Sequence, residues 1–227
     1  LIAQARQAVD GLSLYQVRLR RRERVGETLQ PQEEVLLSIR RQPRAVRIEW
    51  PDGPSKGREV LYAAGEGPEV MHVKSPGALV PRVTLAVDSP LVLKNSRHPI
   101  TEAGLEAIVA TMEQWWREEP DRIVHQGRQT APSMSQASDK IVFTSADGET
   151  RVVYLDPATH LPVLVEVTAS NGDLLEFYQF RDLRRDCPEL SSPEAFDPDH
   201  RWGEPQGLLS RITKAAAPAN SEPSQQP

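Results

Sequence analysis

The sequence predicts an α+β fold: a strongly curved antiparallel β-sheet of about ten strands, a half-barrel, with a helix packed on its concave side. Three observations predict it. Apolar and polar residues alternate with a period of two in short runs along most of the chain, as they do in strands with one dry face. Gly and Pro punctuate the gaps at a cadence of about 8–12 residues, which suits a meander. One segment alone carries a long apolar stripe at helical spacing. A helix of about 17 residues is too small to cover a flat ten-stranded sheet, so the sheet must curve around it.

The elements follow in order. Ile2, Ala5 and Val9 recur at helical spacing and Gly11 stops a short first helix. Tyr15, Val17 and Leu19 then alternate with Gln16, Arg18 and Arg20, and Val35, Leu37 and Ile39 repeat the pattern after a loop containing Gly26. Val46, Ile48 and Trp50 make one face of a third strand, ended by Pro51-Asp52-Gly53-Pro54 because proline cannot donate to a ladder. Strands are expected over 59–64, 69–74 and 82–88. Thr101 then reads as the N-cap of a helix from Glu102 to Glu118, with Leu105, Ile108, Val109, Met112 and Trp116 on one stripe. Strands resume at 123–130, at 140–145 and 150–155 around the Asp147-Gly148 turn, and at Val163, Val165 and Val167, with Asn171-Gly172 turning into a last strand over 174–183.

Composition excludes several classes. The chain has 227 residues, 38% of them apolar, with four each of Trp, Tyr and Phe. Its apolar runs fall far short of the roughly 20 residues that a membrane helix needs. The single cysteine, Cys187, rules out an intrachain disulfide and a four-cysteine zinc site. A net charge of −5 carries no bulk signal for nucleic acid, and none is expected as a partner. Charge is uneven: residues 1–50 hold 10 Lys/Arg against 6 Asp/Glu, and residues 156–227 hold 6 against 12. The simplest expectation is that these ends sit against each other. A single domain is expected over 1–213. The Ala-, Pro-, Ser- and Gln-rich segment 214–227 is expected to be a disordered tail.

Enzyme chemistry is not expected. No nucleophile elbow, phosphate-binding loop, dinucleotide fingerprint or His-Glu-x-x-His occurs, and no catalytic residue, metal or cofactor is assigned. Asp197, Asp199 and His200 cluster in a Pro-rich stretch that reads as a solvated turn. Arg184 and Arg185 near Cys187 are placed to lower its pKa, although a lone cysteine beside Pro188 is more often inert. Arg18, Arg20, Arg22 and Arg24 share one face of the first strand, with Arg21 and Glu23 on the other. They form either a headgroup-docking strip or an outer face paired with carboxylates such as Glu34. Asn95, Arg97, His98 and Glu102 mark the change from strand to helix. They read as a polar mouth, or as a tie between the loop and the helix start.

A curved sheet over a helix leaves a concavity, and two readings of it stay open. It is an apolar ligand site, or it is core filled by the protein's own side chains. In the first reading the lining is Tyr15, Val17, Leu19, Leu37, Ile39, Ile48 and Trp50 from strands and Leu105, Ile108, Met112 and Trp116 from the helix. Arg97 and His98 stand at the entrance, and a charge at Met112 blocks binding.

Leu155-Asp156-Pro157-Ala158-Thr159-His160-Leu161-Pro162, Asn171-Gly172-Asp173, Phe177-Tyr178-Gln179-Phe180 and Phe196-Asp197-Pro198 resemble the final strands of the outer-membrane lipoprotein carrier and receptor fold (LolA/LolB-like). Tyr15, Arg41-Gln42-Pro43, Lys56–Tyr62 and above all Arg97-His98-Pro99-Ile100-Thr101-Glu102-Ala103-Gly104 resemble more closely an uncharacterised bacterial family, domain of unknown function 1571, over roughly residues 12–200. The resemblance implies a curved antiparallel half-barrel with helices as a lid in an exported, periplasmic protein; a fold hosts several functions, so carriage is not implied by it. The function expected from the concavity is to carry or sense a lipid or an acylated protein without catalysis. The alternative is an envelope protein–protein interaction module with a fully packed interior. A monomer without a transmembrane segment is expected, and a start at Leu1 fits either a removed signal peptide or a trimmed chain. The chain departs from the carriers in having few aromatics and an acidic balance.

Overall fold

The computed structural model describes residues 1–65, 69–77, 82–94, 96–131 and 133–203. The expected tail at 214–227, and Asn95, lie outside these residues. Twelve strands join one open antiparallel sheet, with a helix on the concave side, as the alternation predicts. The strands are β1 Leu14–Val25, β2 Thr28–Leu29, β3 Glu33–Arg40, β4 Ala45–Glu49, β5 Glu59–Ala63, β6 Val70–Lys74, β7 Arg82–Ala86, β8 Ile123–Thr130, β9 Ala137–Thr144, β10 Thr150–Leu155, β11 Pro162–Thr168 and β12 Leu174–Arg184. The α-helices are α1 Ile2–Asp10, α2 Pro90–Leu93, α3 Leu105–Glu118 and α4 Pro198–Trp202.

Strand order runs β7-β6-β5-β4-β3-β1-β12-β11-β10-β9-β8, with β2 paired to β1 off this path. Two meanders of adjacent strands therefore meet where the first strand, β1, pairs with the last, β12. That seam joins the basic and acidic ends of the chain, as the charge balance suggests. Arg18 lies 3.6 Å from Asp182 and Arg24 lies 3.6 Å from Asp173. Arg18 is also 3.6 Å from Glu34, so the outer-face reading of this arginine holds.

Register aligns the dry faces. Ile39 sits opposite Val46, Val46 opposite Tyr62, Tyr62 opposite Met71 and Met71 opposite Leu85. Such cross-strand rows are the packing unit of a sheet. The row lies on the face covered by α1 and α3, whose Ala5, Val9, Leu105, Val109 and Met112 join it in one core. The convex face has its own cover. Leu190 and Phe196 pack there with Ala45 and Cys187, and Arg201 reaches Glu59 at 2.8 Å and Glu49 at 3.2 Å. The C-terminal segment thus straps the outside of β4 and β5.

Two boundaries differ from expectation by three residues. The inner helix begins at Leu105 rather than Glu102, and Thr101 lies in a 3₁₀ turn, Ile100–Glu102. Gly104 has φ 114° and ψ 171°, which no helix tolerates, so the chain breaks between the turn and the helix. The strand from Ala137 starts three residues before the expected Lys140.

Candidate functional site

Between the dry face and α3 lies a cavity of about 560 Å3, within the roughly 300–1,000 Å3 of small-molecule sites. Its lining proves the curvature. Val83 and Leu85 of β7 share it with Arg151 and Val153 of β10. Those strands are eight spacings apart, roughly 38 Å on a flat sheet at 4.8 Å each. Of the two readings of the concavity, the one with space left inside it is the one this structure has.

The sheet wall is apolar: Leu19, Val35, Leu37, Ile48, Val60 and Val73 from one meander, Val153, Val165, Val167 and Phe180 from the other. The helix wall is Gly104, Ala107, Ile108, Thr111 and Trp115. Small side chains on this stripe hold the space open. Trp115 closes one end, stacked on Phe143 with ring centroids 4.7 Å apart.

Of the residues expected to line the concavity, Leu19, Leu37, Ile48, Trp50, His98 and Ile108 do so. Tyr15, Val17, Ile39, Leu105 and Met112 are fully buried in the core beside it rather than in its wall. At 100° per residue, Leu105 and Met112 lie on a different stripe of α3 from Ala107, Ile108 and Thr111. Trp116 continues the core stripe past the end of the packing and is 59% exposed, so the helix contributes Trp115 to the cavity in its place. A charge at Met112 would therefore disrupt the core before it tested the cavity.

Arg97 is also not a cavity residue. Its Nε donates to Glu176 Oε1 at 2.8 Å, its backbone N–H to Glu23 Oε2 at 2.7 Å, and its Nη1 to the Arg24 carbonyl at 3.2 Å. It latches the 96–99 loop onto Glu23 and Glu176, which face each other across the β1–β12 seam. His98 is the second half of the latch, 3.2 Å from Glu176 and 3.1 Å from Glu102. The tie between loop and helix start is thus the reading that holds for this cluster. The hydrogen bond to Glu176 raises the His98 pKa against the opposing effect of burial. Burial pushes Glu176 up, but His98 and Arg97 together hold its carboxyl below the ordinary value.

A second polar cluster fixes the start of α3. Tyr15 Oη donates to Glu106 Oε2 at 2.6 Å and accepts the Leu105 N–H at 3.0 Å. Arg44 completes it, bonded to Glu106 and to the Ala103 carbonyl.

The sequence reading missed the polar wall formed by Arg21, Glu23, Glu33, Arg58 and Glu176. Its signal was present, because Arg21 and Glu23 continue the period-two phase of Tyr15, Val17 and Leu19. Arg21 pairs with Glu33 at 3.1 Å. Arg58 stacks over the Trp50 ring at 4.8 Å.

Cys187 follows the inert reading: it is buried, and burial raises its pKa more than Arg184 lowers it. Asp197 caps α4, accepting the Asp199 and His200 N–H groups, and no metal-ligating cluster occurs among the described residues. No helix among them is long and apolar enough to cross a membrane.

Residues 12–202 match the model of a family described as "Protein of unknown function (DUF1571)", in line with the resemblance carried by Arg97–Gly104. No curated protein matches the sequence. Solved structures similar to this chain include an uncharacterised conserved protein from Thermus thermophilus, with 11% identity and TM-score 0.48 over 82% of this chain and 85% of that one. Another is the lipoprotein LppX of Mycobacterium tuberculosis, with 14% identity and TM-score 0.47 over 82% and 94%. A third is the LolA superfamily protein NE2245 of Nitrosomonas europaea, with 10% identity and TM-score 0.36 over 88% and 96%.

Proposed function

This chain belongs to the DUF1571 family of proteins of unknown function, and on that premise we propose that it is a non-catalytic binding protein that holds a lipid, or the acyl chain of an acylated protein, inside its half-barrel. One observation carries the reading: the apolar cavity of about 560 Å3 between the dry sheet face and α3, left open by the small residues Gly104, Ala107 and Thr111. Apolar burial supplies roughly 25 cal/mol per Å2. An acyl chain losing about 300 Å2 of exposure gains about 7 kcal/mol before the cost of association is subtracted. A periplasmic location belongs to the same reading, and fractionation of cells producing the full-length tagged protein tests it.

The binding test is displacement of a fluorescent fatty acid, alongside mass spectrometry of lipid co-purified with the protein. Wild-type protein should bind at tens of micromolar or tighter, about −6 kcal/mol. Ala107→Trp places an indole in the cavity and should abolish binding while the far-ultraviolet spectrum stays unchanged. Absence of binding by the wild type, with no lipid co-purified, sinks the reading.

A further inference from the structure

Arg58 stands apart from the other arginines of the cavity. Arg21 spends its charge on Glu33 and on Glu23, at 3.1 and 3.7 Å, and Arg22 donates to the Gln30 carbonyl. Arg58 has no hydrogen-bond or ion-pair partner among the described residues, and its Nε is buried without an acceptor. Its guanidinium lies on Trp50, whose own Nε1–H is likewise buried and unpaired, in a side chain only 4% exposed. Both residues line the cavity.

An orphaned buried donor is costly; the enclosed Arg58 Nε and indole N–H set this corner apart, and the Arg58 guanidinium, at the cavity wall, has no partner for its charge among the described residues. The partner that suits it is rich in acceptors and negative, because no carboxylate of the described residues bonds to Arg58. Glu33, the carboxylate that also faces Arg58, is already bonded to Arg21. A guanidinium fork suits a carboxylate or a phosphate, and the Trp50 ring beneath it holds its plane. The hydrocarbon side of the same cavity begins next to it, at Ile48 and Val60.

We propose that Arg58 and Trp50 form the anion end of the cavity, so that the preferred ligand is a single acyl or alkyl chain ending in a carboxylate or a phosphate monoester. This rests on the apolar-ligand reading above and names the ligand class within it. Arg97 and His98, at the latch, take no part in holding the end group.

The experiment compares palmitate, hexadecyl phosphate and hexadecanol by titration against wild type, Arg58→Gln, Arg58→Lys and Trp50→Phe, each checked by thermal denaturation. Wild type should bind at least one of the two anions about tenfold or more tightly than the alcohol, and the tighter one identifies the end group. Arg58→Gln should reduce anion binding to the alcohol level and leave hexadecanol unchanged. Arg58→Lys should keep part of the preference, and Trp50→Phe should lose a few-fold. If all three compounds bind wild type alike and Arg58→Gln alters none, the anion end is refuted and the apolar cavity stands. If none binds, both readings fall. The wild-type comparison decides the matter even where a variant fails to fold.

Discussion

Tyr15 Oη lies 2.6 Å from Glu106 Oε2 and, through the same oxygen, accepts the N–H of Leu105. One phenol on the first strand thus bonds both the backbone and a side chain at the start of the long inner helix. Burial, and then the neighbouring Glu106 charge, push the Tyr15 pKa well up, so the phenol stays a donor at any physiological pH. The contact spans 91 residues of sequence and fixes where the roof of the cavity begins.

Tyr15→Phe removes that oxygen and leaves Glu106 and the Leu105 N–H short of a partner. A hydrogen bond to a charged group is worth roughly 1.5–3 kcal/mol, and a buried unpaired group costs about 1–3 more. The variant should be destabilised by about 2–4 kcal/mol, measured as a lower urea midpoint at unchanged slope. A loss below about 0.5 kcal/mol would show that the phenol is not holding the helix.

Gly104 is the second half of that joint. A Cβ there would stand 2.6 Å from Tyr15 Oη and 2.8 Å from Glu106 Oε2, in a backbone conformation of φ 114°. Strain of this kind costs on the order of 1–3 kcal/mol before any clash. Gly104→Ala should therefore destabilise more than Gly172→Ala, where a Cβ meets nothing within 4 Å although φ is also positive, at 85°. Equal losses in thermal melts would remove the steric half of the argument.

The latch makes stability depend on pH from both sides. His98 faces Glu176 and Glu102, with Arg97 and Arg151 acting on the same Glu176 carboxylate. The His98 pKa is raised in the folded state, so its contribution is full below the unfolded value of about 6.5 and fades as pH rises through the folded one. Glu176 is lowered, so its contribution is full above the unfolded value and fades as pH falls through the folded one. The stability difference between wild type and His98→Gln should be larger near about pH 5.5 than near about pH 9. A difference constant with pH in urea titrations would mean that His98 acts without its charge.

These features were unequally legible. Period-two alternation located all but the two-residue strand β2, because each strand has one dry face and register follows from it. The helix stripe was visible, but two stripes were merged into one. Leu105 and Met112 face the core, whereas Ile108 faces the cavity beside Ala107 and Thr111, and small residues give no hydrophobic signal. Ser89-Pro90 and Asp197-Pro198 open α2 and α4 as cap and first turn, a signal present in the sequence and passed over. Arg97 was placed at the cavity entrance because its partners, Glu23 and Glu176, come together only when the first and last strands pair. Arg58 was missed for the converse reason. Nothing local marks an arginine that the fold leaves unpaired.

Thr111 and Met112 are neighbours on α3 with opposite surroundings, and substitutions at the two should move stability in opposite directions. Met112 is 0% exposed and packed in the core. Met112→Ala should cost about 2–5 kcal/mol, the range for emptying a packed site, while fatty-acid affinity measured below the melt stays within a few-fold of wild type. Thr111 lines the cavity, and its hydroxyl is spent on the Ala107 carbonyl one turn back. That bond adds little to an already bonded helix. Thr111→Leu replaces the hydroxyl with hydrocarbon that enters space no protein atom fills, at roughly 0.8 kcal/mol per buried CH2. It also exchanges a β-branched residue for a better helix former. The variant should gain about 1 kcal/mol in stability and lose fatty-acid affinity, since leucine occupies volume that the ligand needs. Were Thr111→Leu to destabilise by as much as Met112→Ala, the space under the helix would be closed in solution, and the cavity would be an unsuitable home for any chain.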